Sequence, residues 1–288
     1  MVVWDPRIGR LFAWAVLALA GCSPLQFSEQ WLRRLPERVA DQPQQHRRWQ
    51  PQLAVLAHAE LDDKQATIRN VRQCRWQTAD RAVVRYNDWQ VRWEDVRTVD
   101  FIVVPFPEAP VLAHTMLSFG FADGRQLVAS VEARLEQGEA FSAAAGSVRQ
   151  FELIYILGDE TDLLGLRAEL RRDEVYLYRS IAGPEKSAEL LRHVLRRANQ
   201  LARQPEFYDS LTNNCTTNLI EHINTIRPDA VPSSLENLLP GHSDSMAYQL
   251  GLIDTSLPFA EAKQQANVTM RIRQYLHDDD LSQRIRRR

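Results

Sequence analysis

Three cysteines in 288 residues are few: Cys22, Cys74 and Cys215 each need a separate explanation. Surplus charge is missing as well. With 35 basic and 37 acidic residues the chain has no electrostatic footprint for nucleic acid, which is not an expected partner. Beyond the first twenty residues, no apolar run approaches the length that spans a bilayer. No glycine-rich phosphate loop and no internal repeat is present, and no cofactor or metal is expected. Behind the N-terminal run remain about 265 residues, ample for one large domain with a sizeable core.

The N-terminus carries a targeting pattern. Arg7 and Arg10 precede Leu11-Phe12-Ala13-Trp14-Ala15-Val16-Leu17-Ala18-Leu19-Ala20, an apolar run too short for a membrane span but suited to a secretory signal. It ends in Leu19-Ala20-Gly21-Cys22, which resembles the lipobox of bacterial lipoproteins. That resemblance implies cleavage before Cys22 and acyl chains on it, enough for stable anchoring where a single chain binds only marginally. Ser23 resembles the residue that follows the cysteine in lipoproteins sorted to an outer membrane. The expected location is the periplasm, lipid-anchored, with the membrane as a partner through Cys22. The basic end, Arg284-Ile285-Arg286-Arg287-Arg288, reads as a solvated terminus, or as a contact for anionic headgroups.

Periodicity divides the chain into a signal over 1–21, a Pro-punctuated helical spacer over 22–65, a main domain over 66–255 and a C-terminal helix with basic tail over 256–288. In the spacer, Phe27, Trp31, Leu32 and Leu35 form one apolar face, and Leu53, Val55, Leu56 and Ala59 another. Strands are predicted over 82–86, 99–105, 111–121, 125–134, 151–157 and 174–179, with a helical stretch at 162–170. Helices follow over 185–202 and 215–226, and from Ser243 and Glu261. Strands grouped early with helices around them argue for α+β, an antiparallel sheet with packed helices.

Cys215 opens one of these helices behind Thr212, Asn213 and Asn214, all good N-cap residues. A thiol there sits near unpaired backbone N–H groups and the positive end of the helix dipole, which favour the thiolate. The same N–H groups, with Asn213 or Asn214, are candidates to receive an oxyanion. The simpler alternatives are a small buried hydrophobe, or a disulfide with Cys74.

A thiol nucleophile needs a base and a group that orients it. Among seven histidines, His114 alone falls in an apolar strand, where an unpartnered imidazole is costly. His193 reads as a surface residue, and His222 lies two turns along the cysteine's own helix, too far to act on the thiol. Ala122-Asp123-Gly124 signals a hairpin. A three-residue loop sets His114 opposite Glu132 and Met116 opposite Ser130; a two-residue turn flips both side chains away. Glu132 or Ser130 is then the orienting group.

The order, histidine strand before Asn-Cys helix, resembles that of circularly permuted members of the NlpC/P60-type papain-like superfamily. His114-Thr115-Met116-Leu117-Ser118-Phe119-Gly120-Phe121, Ser130-Val131-Glu132-Ala133-Arg134, Phe151-Glu152-Leu153-Ile154-Tyr155 and Asn213-Asn214-Cys215-Thr216-Thr217 resemble the Lnb N-terminal periplasmic domain family. Ile68-Arg69-Asn70 and Leu239-Pro240-Gly241 belong to the same resemblance. It implies a permuted papain-like fold, Cys215 as nucleophile, His114 as base, and transfer of a fatty acyl chain from phospholipid to lipoprotein. Two other readings stay open: a cysteine peptidase or amidase acting on peptide or peptidoglycan, and a non-catalytic envelope lipoprotein with Cys74 paired to Cys215.

Overall fold

A computed structural model describes residues 42–232 and 240–287. The signal, Cys22, the apolar face from Phe27 to Leu35, and Leu239 lie outside the described residues. In chain order the strands are β1 (His58–Leu61), β2 (Gln65–Arg72), β3 (Arg75–Thr78), β4 (Arg81–Val83), β5 (Tyr86–Arg92), β6 (Val96–Phe106), β7 (Ala109–Phe121), β8 (Gln126–Arg134), β9 (Glu152–Gly158) and β10 (Tyr176–Arg179). The helices are α1 (Ala143–Gly146), α2 (Glu160–Gly165) running into a π turn (Leu166–Leu170), α3 (Pro184–Arg203), α4 (Cys215–Ile226), α5 (Ser243–Gln249), α6 (Phe259–Ala266), α7 (Thr269–Tyr275) and α8 (Leu281–Arg284).

One sheet organises the molecule, in the order β1-β2-β9-β8-β7-β6-β10, with β5 also on β2; β3 and β4 form a separate hairpin. Strands β6 to β9 are antiparallel neighbours, and the parallel join is a single pairing, Arg72 with Gly158. Alternation within each strand feeds two cores. Leu117, Phe119, Leu127, Ala129, Val131, Leu153 and Tyr155 face one side, where Leu191, Val194 and Leu195 of α3 and Leu219 of α4 pack on them. Met116, Val128, Ile154 and Ile156 face the other, beneath Leu163 and Leu164 of α2, Ile272 of α7 and Leu281 of α8. Every residue of β9 is buried, as a strand covered on both faces requires. Full burial of a Leu or Val side chain stabilises by roughly 1.5–3 kcal/mol, so the α3 stripe is a main anchor of that face. Pro184 at its first position, Glu185 in its first turn and Arg203 in its last suit the ends of a helix.

The α+β class is observed, and three segments depart from the sequence reading. Residues 42–65 hold a 3-10 turn (Pro51–Leu53) and strand β1 rather than a helix. Pro51 cannot continue a helix, and β1 gains a ladder with β2 while the Asn199 side chain bonds both N–H and C=O of Ala59. Residues 82–86 split between β4 and β5, which pair with different strands. The basic end is also pinned inward: Arg286 reaches Asp100 and Glu160, so that part of the tail is neither solvated nor free for headgroups.

Candidate active site

The β7–β8 turn decides where the histidine points. Phe121 N–H donates to the Arg125 carbonyl at 3.0 Å, and Gly124 takes φ 86°, a left-handed conformation that glycine adopts without steric cost. This is the three-residue loop, and its register runs from Gly120 opposite Gln126 to Met116 opposite Ser130. Continued two residues, it brings His114 to Glu132. His114 Nε2 lies 2.7 Å from Ser130 Oγ and 3.2 Å from Glu132 Oε1, and Ser130 Oγ–H donates to Glu132 Oε1 at 2.8 Å. Arg167, from the π turn, holds the same carboxylate at 3.2 Å. With Nε2–H directed at the serine and carboxylate, Nδ1 is the ring nitrogen left for the thiol.

Helix α4 brings the thiol to that ring. Asn214 is its N-cap, its Oδ1 accepting from the N–H groups of Thr216 at 2.9 Å and Thr217 at 3.0 Å. Thr217 Oγ1 returns the favour to Asn214 N–H at 2.9 Å, closing a capping box with threonine in place of the usual Glu or Gln. Thr115 of β7 and Thr216 bond through their hydroxyls at 3.3 Å, tying helix to strand. Cys215 Sγ then sits 3.9 Å from the Ala113 carbonyl, next to the histidine. Both side chains are buried, with 5% of Cys215 and 6% of His114 exposed.

The charges follow from this packing. Burial pushes the Cys215 thiol up, but the hydrogen bond and charge of His114, helped by Thr115, bring it down to about 7. Burial pushes the His114 imidazole down and the Glu132 carboxylate more than offsets it, raising the ring to about 9. Glu132 is itself buried, yet His114 and Arg167 hold it well below the usual carboxylate range. Between pH 7 and 9 the pair is therefore a thiolate and an imidazolium. Cys74 is the contrast. It is free and buried, as Cys215 is free, so no disulfide joins them. Burial and the Asp162 carboxylate push the Cys74 thiol up to about 12, an inert side chain.

Asn213 and Asn214 stand in the loop as supports. Asn213 Nδ2 donates to Glu206 and to the Phe207 carbonyl, and Asn214 Nδ2 to the Ser210 carbonyl. Both amides are thus occupied. The cap engages the second and third N–H groups of α4, which leaves the Cys215 N–H, at the first helical position, as the backbone donor beside the sulfur. A cavity of about 290 Å³ lined by Asp100, Tyr178, Arg179, Arg271 and Arg286 lies elsewhere and includes neither Cys215 nor His114. Among the described residues no group of three or more His, Cys, Asp or Glu side chains is placed to hold a metal ion.

Two features escaped the sequence reading. Arg167 gave no signal, because nothing in the spacing 132 to 167 links it to Glu132. The stripe Asn214, Asn218, His222 did give one: polar residues four apart on a helix, all buried at 3%, 2% and 1% exposure. Nor is His193 a simple surface residue; it is half-buried, and its Nδ1 lies 2.7 Å from Nδ1 of His222.

A mixed sheet thus presents a buried, ion-paired cysteine and histidine, one from a helix start and the other from a neighbouring strand, which defines the site as a thiol–imidazole pair. The particular family is given by comparison: residues 83–241, more than half of the chain, match the Lnb N-terminal periplasmic domain, and the chain belongs to that family. A periplasmic location fits this membership. No curated protein and no solved structure matches the chain. Among the described residues no helix is long and apolar enough to cross a membrane.

Proposed function

We propose that this protein is a periplasmic cysteine-dependent acyltransferase or acyl hydrolase with a permuted papain-like fold, tethered through a lipidated Cys22. The observation that carries the chemistry is the buried Cys215–His114 pair, with the histidine fixed by Ser130 and Glu132. The Cys215 thiolate attacks an ester carbonyl while the Cys215 N–H receives the oxyanion. Collapse breaks the C–O bond, and the His114 imidazolium gives its proton to the departing alcohol, leaving a thioester on Sγ. An amine or water then attacks the thioester with His114 taking its proton. The acyl group leaves on that nucleophile, and the thiolate–imidazolium pair is restored. Glu132 and Ser130 orient the ring and stabilise its charge, and Arg167 holds Glu132.

The substrate class follows from the family resemblance, a phospholipid donor and a lipoprotein amine as acceptor. A peptidoglycan amide is the competing substrate, and the same site could cleave it. The test is intact-mass analysis after incubation with labelled phospholipid and, separately, with muropeptides. Phospholipid is expected to leave one acyl group on wild-type protein and none on Cys215→Ala. An adduct from muropeptide alone would replace lipid by peptide, and an acyl adduct on the Cys215→Ala protein would overturn the mechanism.

The tether is tested separately. In cells fed labelled palmitate the full chain is expected to take up label in the membrane fraction, and Cys22→Ser to lose it. Equal labelling of Cys22→Ser would remove the anchor.

A further inference from the structure

Behind the site runs a chain of polar groups, buried at Tyr155, Asn218 and His222, that the mechanism does not use. His193 Nδ1 and His222 Nδ1 are 2.7 Å apart, and His222 Nε2 is 2.7 Å from the Tyr155 hydroxyl. The Tyr155 O–H donates to Asn218 Oδ1 at 3.0 Å. Asn218 Nδ2 then donates twice at 2.9 Å, to Asn213 Oδ1 and to the Asn214 carbonyl. Asn213 passes the run to Glu206 and the Phe207 carbonyl, and Arg197 holds Glu206 in a bidentate pair.

One set of tautomers satisfies every link. Because Tyr155 gives its proton to Asn218, it accepts from His222 Nε2–H, and His222 Nδ1 accepts from His193 Nδ1–H. From His193 to Asn218, every donor points toward the Asn213–Asn214 step. Burial, with His193 and Arg197 adding repulsion, lowers His222 to about 3, so that ring stays neutral. Burial pushes the Tyr155 hydroxyl up, which keeps it a donor. Polar groups this deep are costly unless fully bonded, and a fully bonded network fixes one arrangement.

The end of the chain is where its effect falls. Asn218 fixes the Asn214 carbonyl with its side chain at 2.9 Å and its own N–H at 3.1 Å. In a planar trans peptide the carbonyl of Asn214 and the N–H of Cys215 point in opposite directions. Aiming that carbonyl at Asn218 therefore aims the Cys215 N–H away from it, out of the N-terminal end of α4.

We propose that Tyr155, His222, His193 and Asn218 form a positioning relay that fixes the Asn214–Cys215 peptide and so aims the oxyanion donor. This rests on the acyl-transfer reading above and adds to it residues more than one contact away from the reacting atoms. None of them touches substrate; they act through Asn218.

Two reactions of Cys215 separate this role from general loosening. Alkylation by iodoacetamide is a displacement at saturated carbon and needs no oxyanion donor, whereas acylation by p-nitrophenyl butyrate does. Tyr155→Phe removes one oxygen and keeps the ring. Its Cys215 acylation is expected to fall about 10–100-fold, at or below the loss seen when one oxyanion donor is removed outright. Its alkylation rate against pH should stay within about twofold of wild type, inflection included. His222→Leu should behave like Tyr155→Phe, and His222→Gln, which retains an N–H toward Tyr155, should recover acylation. Unchanged acylation in Tyr155→Phe overturns the relay, as does a parallel fall of both reactions with a lowered Tm. If wild-type Cys215 is alkylated but not acylated, the acyl-transfer reading fails first and the relay falls with it.

Discussion

His114→Ala is expected to carry the Cys215 thiol pKa from about 7 to above the ordinary value of 9.0 and to reduce covalent acylation by on the order of 10³-fold or more. The direction follows from the balance at the sulfur. Burial opposes the thiolate, and the hydrogen bond and charge of His114 are the two largest influences that favour it. Removing the ring leaves burial opposed only by Thr115 and the first turn of the helix. At pH 7.5 the thiolate then drops from the dominant form to a few per cent, and the proton carrier is lost at the same time. In wild-type protein acylation should rise as pH climbs through about 7, where the thiol ionises. It should fall again through about 9, where the imidazolium that protonates the departing alcohol is lost. Alkylation, which needs only the thiolate, should show the first limb and not the second. An alkylation inflection that stays near 7 in His114→Ala would separate the histidine from the thiol and sink the pair as a catalytic unit.

How much of this site was legible depended on whether the information was local. The cap of α4 was readable because an N-cap works within four residues, and the helix runs over 215–226 as its apolar spacing indicated. The contact of His114 with Glu132 was readable only through one discrete choice, the length of the Asp-Gly loop. The left-handed Gly124 fixes that choice, and with it the face on which His114, Ser130 and Glu132 all emerge. Arg167 and Tyr155 were not legible, since each meets its partner across elements far apart in sequence and neither carries a local mark. The misread β1 has the same origin. Its apolar spacing over 53–59 is compatible with a helix turn, and the deciding influences are the β2 ladder and Asn199 of α3, 140 residues away. The limits of β6 to β9 were read well because the alternation toward two cores is continuous through those strands.

The C-terminal basic run makes the second large prediction, on stability rather than chemistry. Arg286→Met is expected to destabilise the fold by about 3–5 kcal/mol, because it leaves the buried Glu160 carboxylate without its counter-charge and Asp100 with only one of its two. Glu160 and Asp100 are 2% and 0% exposed. Arg286 holds Glu160 Oε2 at 2.9 Å and Asp100 Oδ2 at 2.8 Å; Ser118 donates to Glu160 Oε1 at 2.7 Å, and Arg179 stays on Asp100. Burial pushes the Glu160 carboxyl up, and Arg286 more than offsets it, holding the group below its usual value of 4.5. In wild-type protein Glu160 therefore contributes stability above about pH 4.5 that is lost as pH falls through its depressed value. Without Arg286 burial is the larger influence and the sign inverts: the carboxyl titrates above 4.5, and acidification relieves the strain of a buried charge. The gap in melting temperature, on the order of 10 °C at neutral pH for a chain of this size, should thus narrow as pH is lowered toward 4.5. Adding Glu160→Gln to Arg286→Met should recover part of the loss, since the amide keeps an acceptor for Ser118 and carries no charge. A variant that melts within about 2 °C of wild type at pH 7 would show the cluster to be energetically neutral. A gap that widens on acidification would show that the cost lies in packing and not in the unpaired carboxylates.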